Sequence, residues 1–120
     1  MHYSAQFIDD VVVVSLRGKI TIGVGDEALR GTVLHHLNEG VRRIVLDLGG
    51  VTTIDSSGTG ELVSAYTTVT SRGGRLVLSR MPQKVRDHLT ITQLITVFDV
   101  YDDIESAVAA VKAKPLPVLG

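Results

Sequence analysis

From Val41 onward the spacing of hydrophobic residues in this chain switches repeatedly between that of a strand and that of a helix. "VRRIVLDLGG" sets Ile44, Val45, Leu46 and Leu48 in a nearly continuous apolar run, the pattern of a central strand covered on both faces. Leu62, Val63, Tyr66 and Val69 then fit a helix, and "SRGG" closes it with Gly73 or Gly74 just past its C-terminal cap. "RLVLSR" is the next strand, and Pro82 sits in the first turn of another helix that buries Val85 and Leu89. "LITVFDVY" contains a last short strand. "DDIESAVAAVKAK" is the clearest helix: Ile104, Ala107, Val108 and Val111 recur at i, i+3, i+4 and i+7, with Asp102 or Asp103 placed to cap it.

The N-terminal third reads differently. "HYSAQFI" and "VVVVSLRG" are two β-rich runs separated by Asp9-Asp10, the spacing of a hairpin. Gly18 is expected to end the second run, and "KIT" to form a short third strand. From Gly25 the period lengthens: Leu29, Val33 and Leu37, with Leu34 beside them, predict a helix with Asp26 and Glu27 at its start and Gly40 past its end. The order ββ(β)αβαβαβα predicts an α/β fold with a mixed, mostly parallel central sheet flanked by helices and an antiparallel N-terminal hairpin. Residues 1–113 form one domain in this reading. "KPLPVLG", with two of the three prolines, is expected to be a flexible C-terminal tail over residues 114–120.

Composition narrows the chemistry. A length of 120 residues suits one domain, and only 4% aromatic residues leave a core of Val, Leu, Ile and Ala. A net charge of −1 offers no electrostatic footprint for nucleic acid or an anionic membrane surface. The absence of cysteine removes disulfides and thiol nucleophiles. "MHYSAQFIDD" lacks the basic and apolar regions of a secretory signal, and the longest strongly apolar run, Val11 to Val14, is far short of the ~20 residues that span a bilayer. A cytoplasmic location is the expectation.

One segment invites a chemical reading: "TTIDSSGTGELV", Thr52 to Val63, a small polar knot where a buried strand gives way to a helix. A nucleophile elbow needs a glycine two positions before the serine, and neither Ser56 nor Ser57 has one. A dinucleotide fingerprint begins at Gly58-Thr59-Gly60 but finds Val63 where its third glycine belongs, and no lysine follows for a phosphate-binding P-loop. His35 and His36 are adjacent on a predicted helix and so diverge by about 100°, and His2 and His88 are isolated, which makes neither a metal site nor a catalytic base. No cofactor and no catalytic residue is expected. Two readings remain. Asp55 or Ser56 can cap the helix that follows, and a serine hydroxyl here, at the carboxyl edge of the strands, can accept a phosphate.

"IVLDLGGVTTIDSSGTG", with "VVVVSLRGKIT" before it and "RGGRLVL" and "ITVFDVYDDIESAVAAV" after it, resembles the STAS domain, and in particular the single-domain anti-sigma factor antagonists of bacteria. The resemblance spans nearly the whole chain and implies a single-domain STAS-like fold. It also implies a switch by partner exchange and no catalysis by this chain. The unphosphorylated antagonist binds an anti-sigma factor that is also a serine kinase, phosphorylation on the serine after the signature aspartate releases it, and a serine phosphatase resets it. That serine is Ser56, with Ser57 as the alternative, and Thr21, Asp55, Ser56, Ser57, Gly58, Thr59 and Gly60 form the expected partner interface. Thr21 stands where the family often has an acid, and Thr59 where it usually has leucine. The alternative roles that the resemblance allows are a scaffold STAS subunit of a signalling assembly and a STAS subunit of a lipid ABC transporter. No direct partner role for nucleic acid or membrane is expected.

Overall fold

The computed structural model describes residues 1–23, 25–113 and 115–116. Two antiparallel strands, β1 (His2–Ile8) and β2 (Val11–Ile20), open the chain, followed by α1 (Gly25–Asn38), β3 (Arg43–Ile54), α2 (Ser56–Ser71), β4 (Arg75–Ser79), α3 (Gln83–Ile91), a short 3-10 turn at Ile95–Val97, β5 (Val100–Tyr101) and α4 (Ile104–Ala113). The strands lie in one sheet in the order β1-β2-β3-β4-β5. β1 is antiparallel to β2, and β2 to β5 are parallel. This is the mixed α/β fold expected.

Sequential order in the sheet has a structural consequence. Each right-handed crossover from β2 to β5 advances one strand in the same direction, so the connecting helices fall on one face. That face buries Val12, Val14, Leu16, Ile44, Leu46, Leu48, Leu76 and Leu78 with Leu29 and Val33 of α1, Leu62 and Val69 of α2, and Val85 and Leu89 of α3. Among the described residues α4 alone covers the other face, packing Ala107, Val108 and Val111 on Val11, Val13, Val45 and Val77. Consecutive residues of β2, β3 and β4 thus feed opposite cores, which is why these strands read as continuous apolar runs.

Local signals at the element ends behave as expected in most places. Asp103 caps α4 by accepting the Ser106 N–H at 2.6 Å. Gly73, at φ +80°, is the left-handed residue past the α2 cap, and it donates to Thr70 O while Gly74 N–H reaches Val69 O at 2.8 Å. Four expectations are corrected. Gly18 does not end a strand, and "KIT" is not a separate one. At φ +94° Gly18 carries a register shift that lets β2 continue pairing with β3 through Ile20. Pro82 precedes the first turn of α3 rather than lying in it. Leu34 is among the exposed large apolar residues rather than in the core. Of the expected tail, Lys114 and residues 117–120 lie outside the described residues, while Pro115 and Leu116 belong to neither helix nor strand.

Candidate functional site

β2 and β3 are longer than their neighbours, so their carboxyl ends carry the Thr21–Gly23 loop and the Asp55–Gly58 turn side by side. Asp55 joins the two. It is extended at φ −111°, ψ −173°, the geometry of an N-cap, and its Oδ1 accepts the Gly58 N–H at 2.9 Å. Its Oδ2 accepts the Ile22 N–H at 3.1 Å, from across the sheet edge. The same residue's N–H donates to Ile20 O, and its carbonyl accepts both the Thr59 N–H and the Thr59 hydroxyl at 2.9 Å. The N–H groups of Gly58 first, then of Ile22, hold the Asp55 carboxyl below the usual carboxylate range. It is therefore ionised at neutral pH, at the positive end of the α2 dipole.

The end of β2 is gripped by the starts of two helices. A Cβ on Gly58 would lie within 2.9 Å of the Ile20 carbonyl carbon, and one on Gly25 within 2.6 Å of the Ile20 Cα. Only glycine at both helix starts leaves room for the β2 backbone there, with Gly25 against the Lys19–Ile20 peptide and Gly58 against the Ile20 carbonyl. The turn bearing Ser56 is in this way a rigid platform.

On that platform the expected site residues separate. Ser56, the first residue of α2, is exposed, and Ser57 is half-buried. Thr21 and Asp55 are half-buried and adjacent through the Ile22 N–H bond, and Gly60 is exposed. Thr59 and Gly58 do not belong to the exposed surface: Thr59 is 3% exposed, its hydroxyl committed to the Asp55 carbonyl, and Gly58 is buried against β2. The Thr59 side chain thus lies inside the platform. Sequence reasoning missed Ile22, whose side chain is 73% exposed on the loop that Asp55 holds. An isoleucine in a Gly-flanked loop was the available signal.

A second polar cluster lies below the turn, on the α4 side of the sheet. Asp47 is only 4% exposed, accepting from Ser15 Oγ at 2.9 Å and Gly49 N at 3.0 Å, with Arg80 Nη1 at 3.4 Å. A Cβ on Gly49 would meet the Arg80 guanidinium at 2.6 Å. Its polar groups are largely spent on one another, so this cluster braces the register shift where Ser15 and Arg17 pair with Asp47 and Gly50 rather than offering a site. An acid inside the apolar run "IVLDL" was its sequence signal. Among the described residues there is no group of His, Asp or Glu suited to a metal.

Replacing Asp55 tests the bridge. Asp55→Ala is expected to lower the melting temperature and to speed hydrogen exchange at the Ile22 amide, measured residue by residue by NMR, because that amide loses its acceptor. The acid dependence has a definite sign. A folded-state carboxyl below its unfolded value contributes stability that is present above the unfolded value of 3.8 and fades as pH falls through the folded one. The difference in melting temperature between wild type and Asp55→Ala should therefore shrink on acidification. Unchanged Ile22 exchange would show that the bridge contributes nothing.

Comparison with known proteins places this geometry. The chain matches the STAS domain over residues 2–107. A Thermotoga maritima protein provisionally named an anti-sigma factor antagonist is 29% identical over 91% of this chain and 96% of its own length. Its crystal structure superposes with a TM-score of 0.83, covering 92% of this chain and 94% of that one. BtrV of Bordetella bronchiseptica, provisionally named in the same way, is 30% identical over 88% of this chain and 90% of its own length. The anti-sigma factor antagonist SpoIIAA, in its unphosphorylated form, shares the fold at 19% identity, with a TM-score of 0.72 over 94% of this chain and all of that one. The Bacillus protein in its phosphorylated form shares the fold at a TM-score of 0.70 over 92% of this chain and 99% of that one, again at 19% identity. The chain belongs to the STAS domain family.

Proposed function

We propose that this protein is an anti-sigma factor antagonist that acts by partner switching, with Ser56 as the phosphoacceptor. In this reading the unphosphorylated chain binds an anti-sigma factor with serine kinase activity through the Ser56 turn and the adjoining Thr21–Gly23 loop. The kinase transfers phosphate to Ser56 and lets go, and a serine phosphatase restores the starting state. The chain works as a binding component in the cytoplasm, and its partners supply the catalysis.

The observation that carries the proposal is the placement of the Ser56 hydroxyl. It is exposed at the first position of α2, on a turn held from below by Asp55 and by the packing of Gly58 on β2. Ser57, the alternative, is half-buried. A phosphate on Ser56 would lie at the positive end of a helix of sixteen residues, where anions are tolerated. It would bring about −1.5 to −2 charges to the exposed surface beside the Asp55 carboxylate. A partner seated there meets a new anion, while the fold beneath it has no reason to change. SpoIIAA, known in phosphorylated and unphosphorylated forms, is a case of this fold in which both states exist. The names of the Thermotoga and Bordetella relatives support the same role.

The direct test is mass spectrometry of the chain after incubation with its partner kinase and Mg-ATP. One phosphate on the peptide containing Ser56 is expected, and none on Ser56→Ala. Phosphate confined to Ser57, or no phosphate at all, would reject the assignment.

A further inference from the structure

We infer that the free edge of β1 is a contact surface for a second copy of this chain, joined antiparallel across a two-fold axis at Ala5. The two edges of the sheet are unequal. β5 is only two residues long, too short to template another strand, whereas β1 runs seven residues in unbroken register with β2. Among the described residues, its outer row of backbone N–H and C=O groups has no partner strand. Exposed edges are ordinarily guarded by lysine, proline, a bulge or brevity. "HYSAQFI" has no Lys, Arg, Asp, Glu or Pro, and its pairing carries no register shift.

The side chains of β1 are arranged for self-pairing. Tyr3 and Phe7 lie opposite Leu16 and Val12 and so share the α1 side of the sheet. They remain 50% and 57% exposed, with Phe7 in an edge-to-face contact with the His36 ring at a centroid distance of 6.0 Å. A two-fold axis at Ala5 sets Tyr3 opposite Phe7 of the second copy, twice over, with Ala5 facing Ala5 and Ser4 facing Gln6. Both aromatic pairs fall on one face, where cross-strand aromatics attract, and no like charges meet. A foreign strand would need no such match about Ala5, and this internal symmetry of the sequence favours a second copy, the self-complementary contact of a two-fold dimer. The axis reverses strand direction, so the two Ser56 turns point to opposite ends of the joined sheet. Each copy keeps its turn free for its own partner.

Sedimentation velocity of the full chain across the micromolar range tests this, together with two variants. The wild type is expected to approach the dimer mass as concentration rises. Tyr3→Lys, at a position already open to solvent, should raise the dimer dissociation constant at least tenfold while its melting curve under dilute conditions stays that of wild type. Because the chain has no cysteine, Ala5→Cys should form an intermolecular disulfide under mild oxidation faster than the exposed control Thr52→Cys. The Cα separation across an antiparallel pair, about 4.5–5.5 Å, suits that bond. A monomer at every concentration would leave the edge to a foreign strand and overturn the inference. A dimer that Tyr3→Lys leaves at wild-type affinity, or equal cross-linking of the two cysteine variants, would overturn it too.

Discussion

Gly58→Ala is expected to unfold the protein or to lower its melting temperature by more than about 10 °C, whereas Gly60→Ala, two residues along the same helix, should leave it unchanged or raise it slightly. The contrast comes from what each new methyl would meet. At Gly58 it would press on the Ile20 carbonyl, with the carbonyl carbon and the Ile20 Cγ2 both at 2.9 Å. The neighbour is mainly backbone, so relief requires α2 to move away from β2. That movement would break the Asp55 N–H bond to Ile20 O and the Ile22 bond to Asp55 together. Overpacking alone costs about 1–3 kcal/mol; with this network added, a loss of roughly 3 kcal/mol or more is expected, a large share of the stability of a small domain. At Gly60 nothing lies within 4 Å of the new methyl. There the gain in helix propensity, up to about 1 kcal/mol, is free to act. Thermal melts of the two variants suffice. Equal behaviour would show that the α2 start does not grip β2.

This pair also marks how far the sequence could be read. "GTG" suggests a flexible or ligand-approaching turn, and nothing local distinguishes its two glycines. What separates them is Ile20, which is more than thirty residues away in the chain, and only the register of β2 on β3 brings it there. The same limit explains Ile22, since its bond to Asp55 spans 33 positions. By contrast the Asp55 cap was legible, because a cap is satisfied within three residues of itself. The alternation of strands and helices was legible too, since two-sided burial writes apolar residues at every position of a central strand. Gly18 misled for a related reason. A glycine at positive φ inside a bulge and a glycine ending a strand look alike in one dimension, and only pairing with β3 tells them apart. Thr59 shows the converse. It stands in the expected partner interface, but a threonine hydroxyl in the first turn of a helix can return to the backbone, here to the Asp55 carbonyl, and be buried.

Ser56→Asp is expected to weaken binding to the anti-sigma partner by two to three powers of ten, corresponding to about 3–4 kcal/mol, without destabilising the fold. The two effects separate because, in the proposed function, the turn stands between a helix dipole and a partner interface. Inward, an acid at the first position of α2 meets the unpaired N–H groups and positive end of the helix, worth at most about 1 kcal/mol in the stabilising direction. Outward, it adds a second carboxylate beside Asp55, which Gly58 and Ile22 keep ionised at neutral pH. A partner desolvating that surface must then bury two neighbouring negative charges in place of one, and burying an unpaired charge is among the costliest changes an interface can suffer. Ser56→Ala should bind like wild type but fail to dissociate when ATP is added, because no phosphate can be placed there. Calorimetric titration gives the affinities and a melting curve gives the fold. Wild-type affinity for Ser56→Asp, with an unchanged melt, would remove Ser56 from the interface. Weak binding with a melt lowered by many degrees would show that the substitution acts through the platform and not through charge.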